Sequence, residues 1–267
     1  MGFADTETLT RSVISPFELG VWVPSSKLAI ECSDLCWHNK KNDNVFDTHH
    51  HRQKYDACSK EGIRLLQFFS DEWIEKNEIC RSITDNALGL TATKLNARDC
   101  EFVVLDPKTS RQFLEENHIG GATPAKRHTG LVHPKHGLVS IMTLRTPIQK
   151  KWGHVTELAR SCSRLHFSVR GGTSRLTHHA RSWAHGCGYD GILSYADLRF
   201  GDGKVYEKCG FTYMTDNKTN YWYTNGVKRF NRFVYRARDG MSEREVAEIN
   251  QVRPIYGCGN AIYLMKF

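Results

Sequence analysis

No run of about 18 apolar residues occurs in the 267-residue chain, so no membrane-spanning helix is expected. The opening MGFADTETLT has neither the basic start nor the apolar stretch of a secretory signal, and an intracellular protein is expected. Internal repeats and low-complexity tracts are missing too, which excludes repeat arrays and flexible tails. The paired CxxC repeats of a structural zinc site are absent, and the nine cysteines are an odd number at irregular spacings. Reduced thiols are therefore expected, not a disulfide framework. Acidic residues fall short of basic ones, 29 against 37, which leaves a formal charge of +8. That surplus favours a polyanionic partner, and with no membrane segment double-stranded DNA is the first candidate. What is present in quantity is core-forming: 40% hydrophobic and 11% aromatic residues suffice for one large domain or two modest ones.

Residues 17 to 37 alternate like strands around the Pro24-Ser25-Ser26 turn. A helix follows in KYDACSKEG with a stop at Gly62, and then a buried strand, Ile63 to Phe69. DEWIEKNEICRSITDNALGL reads as a second helix through Trp73, Ile74, Ile79 and Ile83, closing a first unit near residue 90. Beyond it the pattern predicts a strand from Cys100 to Leu105, a helix SRQFLEENH capped by Ser110, and strands near Gly130 to Val132 and Leu138 to Leu144. A further strand in HVTELARSCS, a loop RGGTSR, a helix through Trp183 and a strand GILSYAD lead to GKVYEKCGF. Ser242 and Glu245 have capping-box spacing, which predicts a last short helix before a closing strand near Ile262. The expected fold is α/β (α+β), with domains at residues 1–90 and 91–267.

Metal-assisted phosphodiester hydrolysis needs carboxylates around Mg²⁺ and a base or cation near the attacking water and leaving oxygen. Glu31 ends a predicted strand, His38 follows seven residues later, and His51 and Lys54 stand one turn apart on the next helix. ELGVWVPSSKLAIECSDLCWH, HRQKYDACSKEGIRLLQFFSDEW and ICRSI together resemble the very-short-patch-repair-type branch of the PD-(D/E)XK nucleases, in the form found in phage homing endonucleases. The resemblance covers residues 15 to 85 and matches at Glu31, Trp37, His38, His51 and Lys54. It implies a nuclease fold, Mg²⁺ or Mn²⁺ held by Glu31, catalytic help from His38, His51 and Lys54, and a setting on DNA in the cytoplasm of a bacterial host. One position departs: Gly20 stands where that family places an aspartate, with Glu18 as a nearby substitute carboxylate.

ELARSCSRLHFSVRGGTSRLTHHARSW and ILSYADLRFGDGKVYEKCGF resemble the GNAT-type N-acetyltransferases and, within that class, the Mom family of phage DNA-modification proteins. This implies a GNAT-like mixed-sheet second domain, with Arg170 to Ser174 in the place of the acyl-CoA pyrophosphate loop and a site gathering Tyr195, Asp197, Arg199 and Tyr206. The basic segment 226–238 interleaves Lys228, Arg229, Arg232, Arg236 and Arg238 with Phe230, Phe233 and Tyr235, the mixture that a nucleic-acid surface needs. The leading expectation is a metal-dependent phage-type DNA endonuclease of the homing class, weakened or inactive because of Gly20. The alternatives are a GNAT/Mom-like DNA-modifying or acyl-transferring enzyme with a degenerate nuclease domain, and a non-enzymatic DNA-binding interference protein.

Overall fold

The computed structural model describes residues 5–36 and 48–267, which form two compact units. The first contains the chain up to Asn77, Asp197–Gly201 and Asn217–Asn260; the second contains Glu78–Ala196, Asp202–Asp216 and Ala261–Phe267. The boundary thus falls at residue 77 rather than 90, and one stretch expected in the second domain belongs to the first. The predicted helix across this boundary is two helices, α2 (Ser70–Glu75) and α3 (Asn77–Ala87), broken at Lys76 where φ −128° and ψ 37° leave the helical region.

In the first unit, β1 (Glu7–Ile14), β2 (Phe17–Val23) and β3 (Leu28–Ser33) run antiparallel in order, and β4 (Arg64–Phe69) joins β3 in parallel. A parallel pair needs a crossover connection, and α1 (His50–Lys60) lies in it. The alternation read in residues 17–37 buries Leu19, Trp22 and Ala29 against Ile14, Cys58 and Leu65. β1 carried no signal in the sequence: its ETLTRSVI is mostly polar and exposed, and its pairing with β2 makes it a strand. Residues 217–260 add a second small sheet of β13 (Tyr221–Thr224), β14 (Arg229–Phe230) and β15 (Arg253–Tyr256) in the order β14-β13-β15. The helix α7 (Glu243–Ile249) packs on it, opened by the expected capping box of Ser242 and Glu245.

The second unit is built on a seven-stranded mixed sheet. Its strands are β6 (Glu101–Val104), β7 (Arg127–His133), β8 (Gly137–Arg145), β9 (Thr156–Ser163), β11 (Gly191–Asp197), β12 (Thr212–Asp216) and β16 (Asn260–Lys266), in the order β12-β16-β11-β9-β8-β7-β6. A separate parallel pair joins β5 (Thr93–Asn96) to β10 (Phe167–Arg170). The helix α4 (Pro107–Asn117) starts earlier than predicted. Asp106, not Ser110, is its cap, accepting from the amides of Lys108 and Thr109 at 2.9 Å each. Pro107 suits the first helical position, where no N–H is needed, while Ser110 is buried against His128 Nδ1 at 2.8 Å. The helices α5 (Gly172–Gly186) and α6 (Lys204–Glu207) complete the unit, with Leu176, Ala180 and Ala184 of α5 buried. No helix among the described residues is long and apolar enough to cross a membrane.

Candidate functional site

Glu31 leaves β3 at the rim of a cleft of about 620 Å³ that Arg11, Glu18, Gly20, Lys54 and Trp73 also line. Its Oε1 accepts from Lys54 Nζ at 2.7 Å and from the Gly20 amide at 2.6 Å. The ammonium therefore stands where a second carboxylate and a cation would be needed, and glycine at position 20 brings only its backbone to that edge. Glu18 does not substitute: its carboxylate pairs with Arg11 at 3.0 Å on the exposed side. His51 is buried, with Nδ1 donating to the Tyr256 carbonyl at 2.7 Å and Nε2 bonded to Ser33 Oγ at 3.1 Å. Both ring nitrogens are thus hydrogen-bonded, and His51 lines a small pocket with Glu31 and Lys54. Trp37 and His38 lie outside the described residues. Among the described residues, no group of three or more His, Cys, Asp or Glu side chains is placed to hold a metal ion. Titrating Mg²⁺ or Mn²⁺ to millimolar levels is accordingly expected to leave the Tm unchanged, because a ligand that binds only the folded state would raise it. A metal-dependent rise, measured by differential scanning fluorimetry, would reverse that expectation.

The basic segment divides. Arg229 is nearly buried, its guanidinium 2.8 Å from both Asp71 and Glu72 and 4.2 Å above the Phe69 ring. Lys228 pairs with Glu75 at 2.8 Å, and Arg232 lies 3.5 Å from Glu243. Arg236 and Arg238 are exposed and make no ion pair among the described residues. Arg229 is thus corrected from a DNA contact to a structural cation. Arg199 is a second one: it donates to Glu72 at 2.9 Å and to Asp197 at 3.0 Å, and lies over Phe69, Phe200 and Trp222. Burial alone would raise the Glu72 carboxyl, but Arg199, Arg229 and the Phe69 amide reverse this and hold it below the usual range. The same acids raise Arg199 against the effect of its own burial.

In the second unit, β9 and β11 are the two parallel neighbours of the large sheet. They pair only from Thr156↔Ile192 to Leu158↔Ser194. The next residue of β9, Ala159, is an extra one: against β8 the register passes from Thr143↔Arg160 to Leu144↔Leu158. Such a bulge bends its strand and ends pairing locally, so beyond Leu158 and Ser194 the two strands run on without bonding to each other. Arg160 turns to the preceding loop, donating to the carbonyl of Gly121 at 2.9 Å. Tyr206, in α6, places its phenol beside Ser194 at this parting point. Burial pushes the phenol up, so it is a protonated donor at neutral pH, and the buried Ser194 Oγ has no hydrogen-bond partner among the described residues. The start of α5 is close by, with Ser174 Oγ 3.4 Å from Cys209 Sγ just after α6. Gly171 enters α5 at φ 74° without a side-chain cap, which leaves its first amides open. Arg175 is withdrawn into bonds with the carbonyls of Ala97 and Cys100.

The expected gathering of Tyr195, Asp197, Arg199 and Tyr206 does not form. Alternation along β11 turns Tyr195 to the face opposite Ser194, where it packs with Leu193 and Trp152. Asp197 and Arg199 belong to the first unit. What the sequence reading missed was the Ala159 bulge and Ser194, for which no motif gave a signal.

No family model and no curated protein matches the chain. Solved structures similar to it include an acetyltransferase of Bacillus subtilis in complex with CoA, at 12% identity and a TM-score of 0.38, covering 63% of this chain and 99% of that one. Another is the ribosomal-protein-S18-alanine N-acetyltransferase of Escherichia coli, at 10% identity and a TM-score of 0.40, covering 62% and 93%. A putative streptothricin acetyltransferase of Bacillus anthracis in complex with acetyl coenzyme A has 16% identity and a TM-score of 0.32; the match covers 54% of this chain and 64% of that one. The expected metal-dependent endonuclease is corrected here. In the first unit Glu31 is engaged by Lys54 and the Gly20 amide at the edge where Mg²⁺ was expected, and no group of His, Cys, Asp or Glu among the described residues is placed to hold a metal ion.

Proposed function

We propose that the second unit transfers an acyl group from a coenzyme A thioester to an amine, on a GNAT-like fold, and that the first unit is a DNA-binding module. The observation that carries the first part is the separation of β9 from β11 at Ala159 and Ser194, beside the phenol of Tyr206. Two parallel strands that part expose unpaired backbone groups, to which an extended chain bearing amides, such as a pantetheine arm, can add. The open amides of Gly172, Thr173 and Ser174 at the start of α5 are suited to a pyrophosphate, and Arg170 is an exposed cation next to them. When bound, the thioester supplies an activated acyl carbon. As the amine nitrogen bonds to that carbon and gives up its proton to water, the carbon–sulfur bond breaks, and Tyr206 supplies a proton to the departing sulfur.

DNA binding by the first unit is supported by Arg236 and Arg238, which are exposed and make no ion pair among the described residues. Its order of three antiparallel strands, crossover helix and parallel fourth strand is what a nuclease-derived scaffold would keep after its metal edge closed. Isothermal titration with acetyl-CoA tests the transferase reading. Saturable one-site binding, lost in a Gly172→Pro variant that still folds, is the expected result; the absence of heat across the titration would overturn it.

A further inference from the structure

The sheet of β13, β14 and β15 buries Tyr223 and Tyr235 with Val246, Ala247 and Val252, but the short 3₁₀ turn Arg232–Tyr235 presents two apolar side chains outward. Phe233 is 65% exposed and Val234 55%. Single exposed apolar residues are ordinary, whereas an adjacent pair on a fixed turn is not. The turn is fixed at three points. Asn231 Oδ1 accepts from the Phe233 amide at 3.0 Å, the Asn231 carbonyl accepts from Val234 N at 3.0 Å, and Tyr235 is anchored 5.1 Å from the Tyr223 ring. With Tyr235 held inside, Phe233 and Val234 have no route into the core.

The chain around the pair is basic in sequence. Residues 227–238 contain no acidic side chain, and Arg232, Arg236 and Arg238 flank the turn. Arg232 lies 5.6 Å from the centre of the Phe233 ring and 3.5 Å from Glu243, and Arg236 and Arg238 follow the turn in the chain as exposed cations. Planar guanidiniums match phosphate oxygens in pairs. A narrow rigid apolar tip followed in the chain by exposed arginines fits a base step of a duplex better than a lipid surface. A membrane would call for a broad apolar helix face instead.

We propose that Phe233 and Val234 are a wedge that enters a base step of duplex DNA while Arg236 and Arg238 hold the adjoining phosphates, so that the first unit bends the DNA it binds. This rests on the DNA-binding reading above and deepens it. Apolar wedges of this kind unstack a step and kink the duplex by about 20–90°.

The test is ligase-catalysed ring closure of a fragment of about 100 bp, shorter than the duplex persistence length of about 150 bp, with binding followed separately by fluorescence anisotropy. The full chain is expected to accelerate closure several-fold. The variant Phe233→Ala/Val234→Ala should bind with an unchanged salt dependence and lose the acceleration, and Phe233→Leu should retain most of it. Arg236→Ala/Arg238→Ala should instead flatten the salt slope by about two units. Binding without bending, or a double-alanine variant that bends as the wild type does, overturns the wedge and leaves the DNA-binding reading standing. No binding to duplex DNA removes both. Phe233-dependent capture on anionic vesicles without DNA bending, or Phe233-dependent dimerisation in sedimentation without it, overturns the wedge in favour of a lipid or a second copy.

Discussion

Tyr206→Phe is expected to lower kcat for acyl transfer from acetyl-CoA by on the order of 100-fold or more, with little change in the affinity for CoA. The substitution removes one hydroxyl and keeps the ring, whose packing against Phe211 and Tyr263, with centroids 5.5 and 5.4 Å away, is what fits it into the unit. Folding should therefore survive while the proton source beside Ser194 is lost. A departing alkyl thiolate needs that proton; an aromatic thiolate, being far less basic, does not. The variant should accordingly recover most of its rate with an acyl donor whose leaving group is an aromatic thiol. Measuring both donors separates the two roles: an equal loss with each would mean that Tyr206 only positions its neighbours, and wild-type turnover with acetyl-CoA would exclude it from the chemistry.

Arg199→Met is expected to destabilise the first unit by about 3–5 kcal/mol, the range for removing one partner of a buried ion pair. Methionine fills part of the space over Phe69, Phe200 and Trp222, but Glu72 and Asp197 lose the cation that they share. Arg229 remains near Glu72 and none of the described ion pairs offers Asp197 a replacement, so the penalty is that of a carboxylate left with too few donors. The pH dependence follows from the lowered folded-state pKa of Glu72. Its contribution is complete above the unfolded value of about 4.5 and disappears as the pH falls through the lower folded value. The difference between variant and wild type in urea unfolding should thus be full at pH 7 and shrink below the ordinary carboxylate range. A difference that stays constant down to pH 3 would mean that lost packing, not lost charge, is responsible.

Local patterns in the sequence were legible where neighbouring residues decide the structure. Alternation in residues 17–37, the Ser242 and Glu245 capping box and the helix through Trp183 each correspond to an observed element. Legibility failed where a partner lies far along the chain. Arg229 reads as one cation in a basic run, and nothing nearby reveals that Asp71 and Glu72 neutralise it. Lys54 and Glu31 read as two members of a hydrolytic set, whereas the structure makes them each other's partner across 2.7 Å. The resemblance of residue types survives such a change, while the charge of Glu31 is already balanced by an ammonium and one of its oxygens is shared with a backbone amide. Ala159 is the opposite case. An alanine in a strand is unremarkable in sequence, and only the register between β8 and β9 reveals that it is surplus.

The excursion of residues 217–260 has a consequence for how the protein can be made and inherited. The chain leaves the second unit after Asp216, completes the first, and comes back at Ala261 to supply β16, which lies between β12 and β11. A nascent chain therefore holds both units unfinished until the excursion has been synthesised, with the edges of β12 and β11 waiting for the same late strand. No single cut yields either unit whole, so recombination cannot pass one on without the other, and a change of sequence in either is selected in the company of its neighbour.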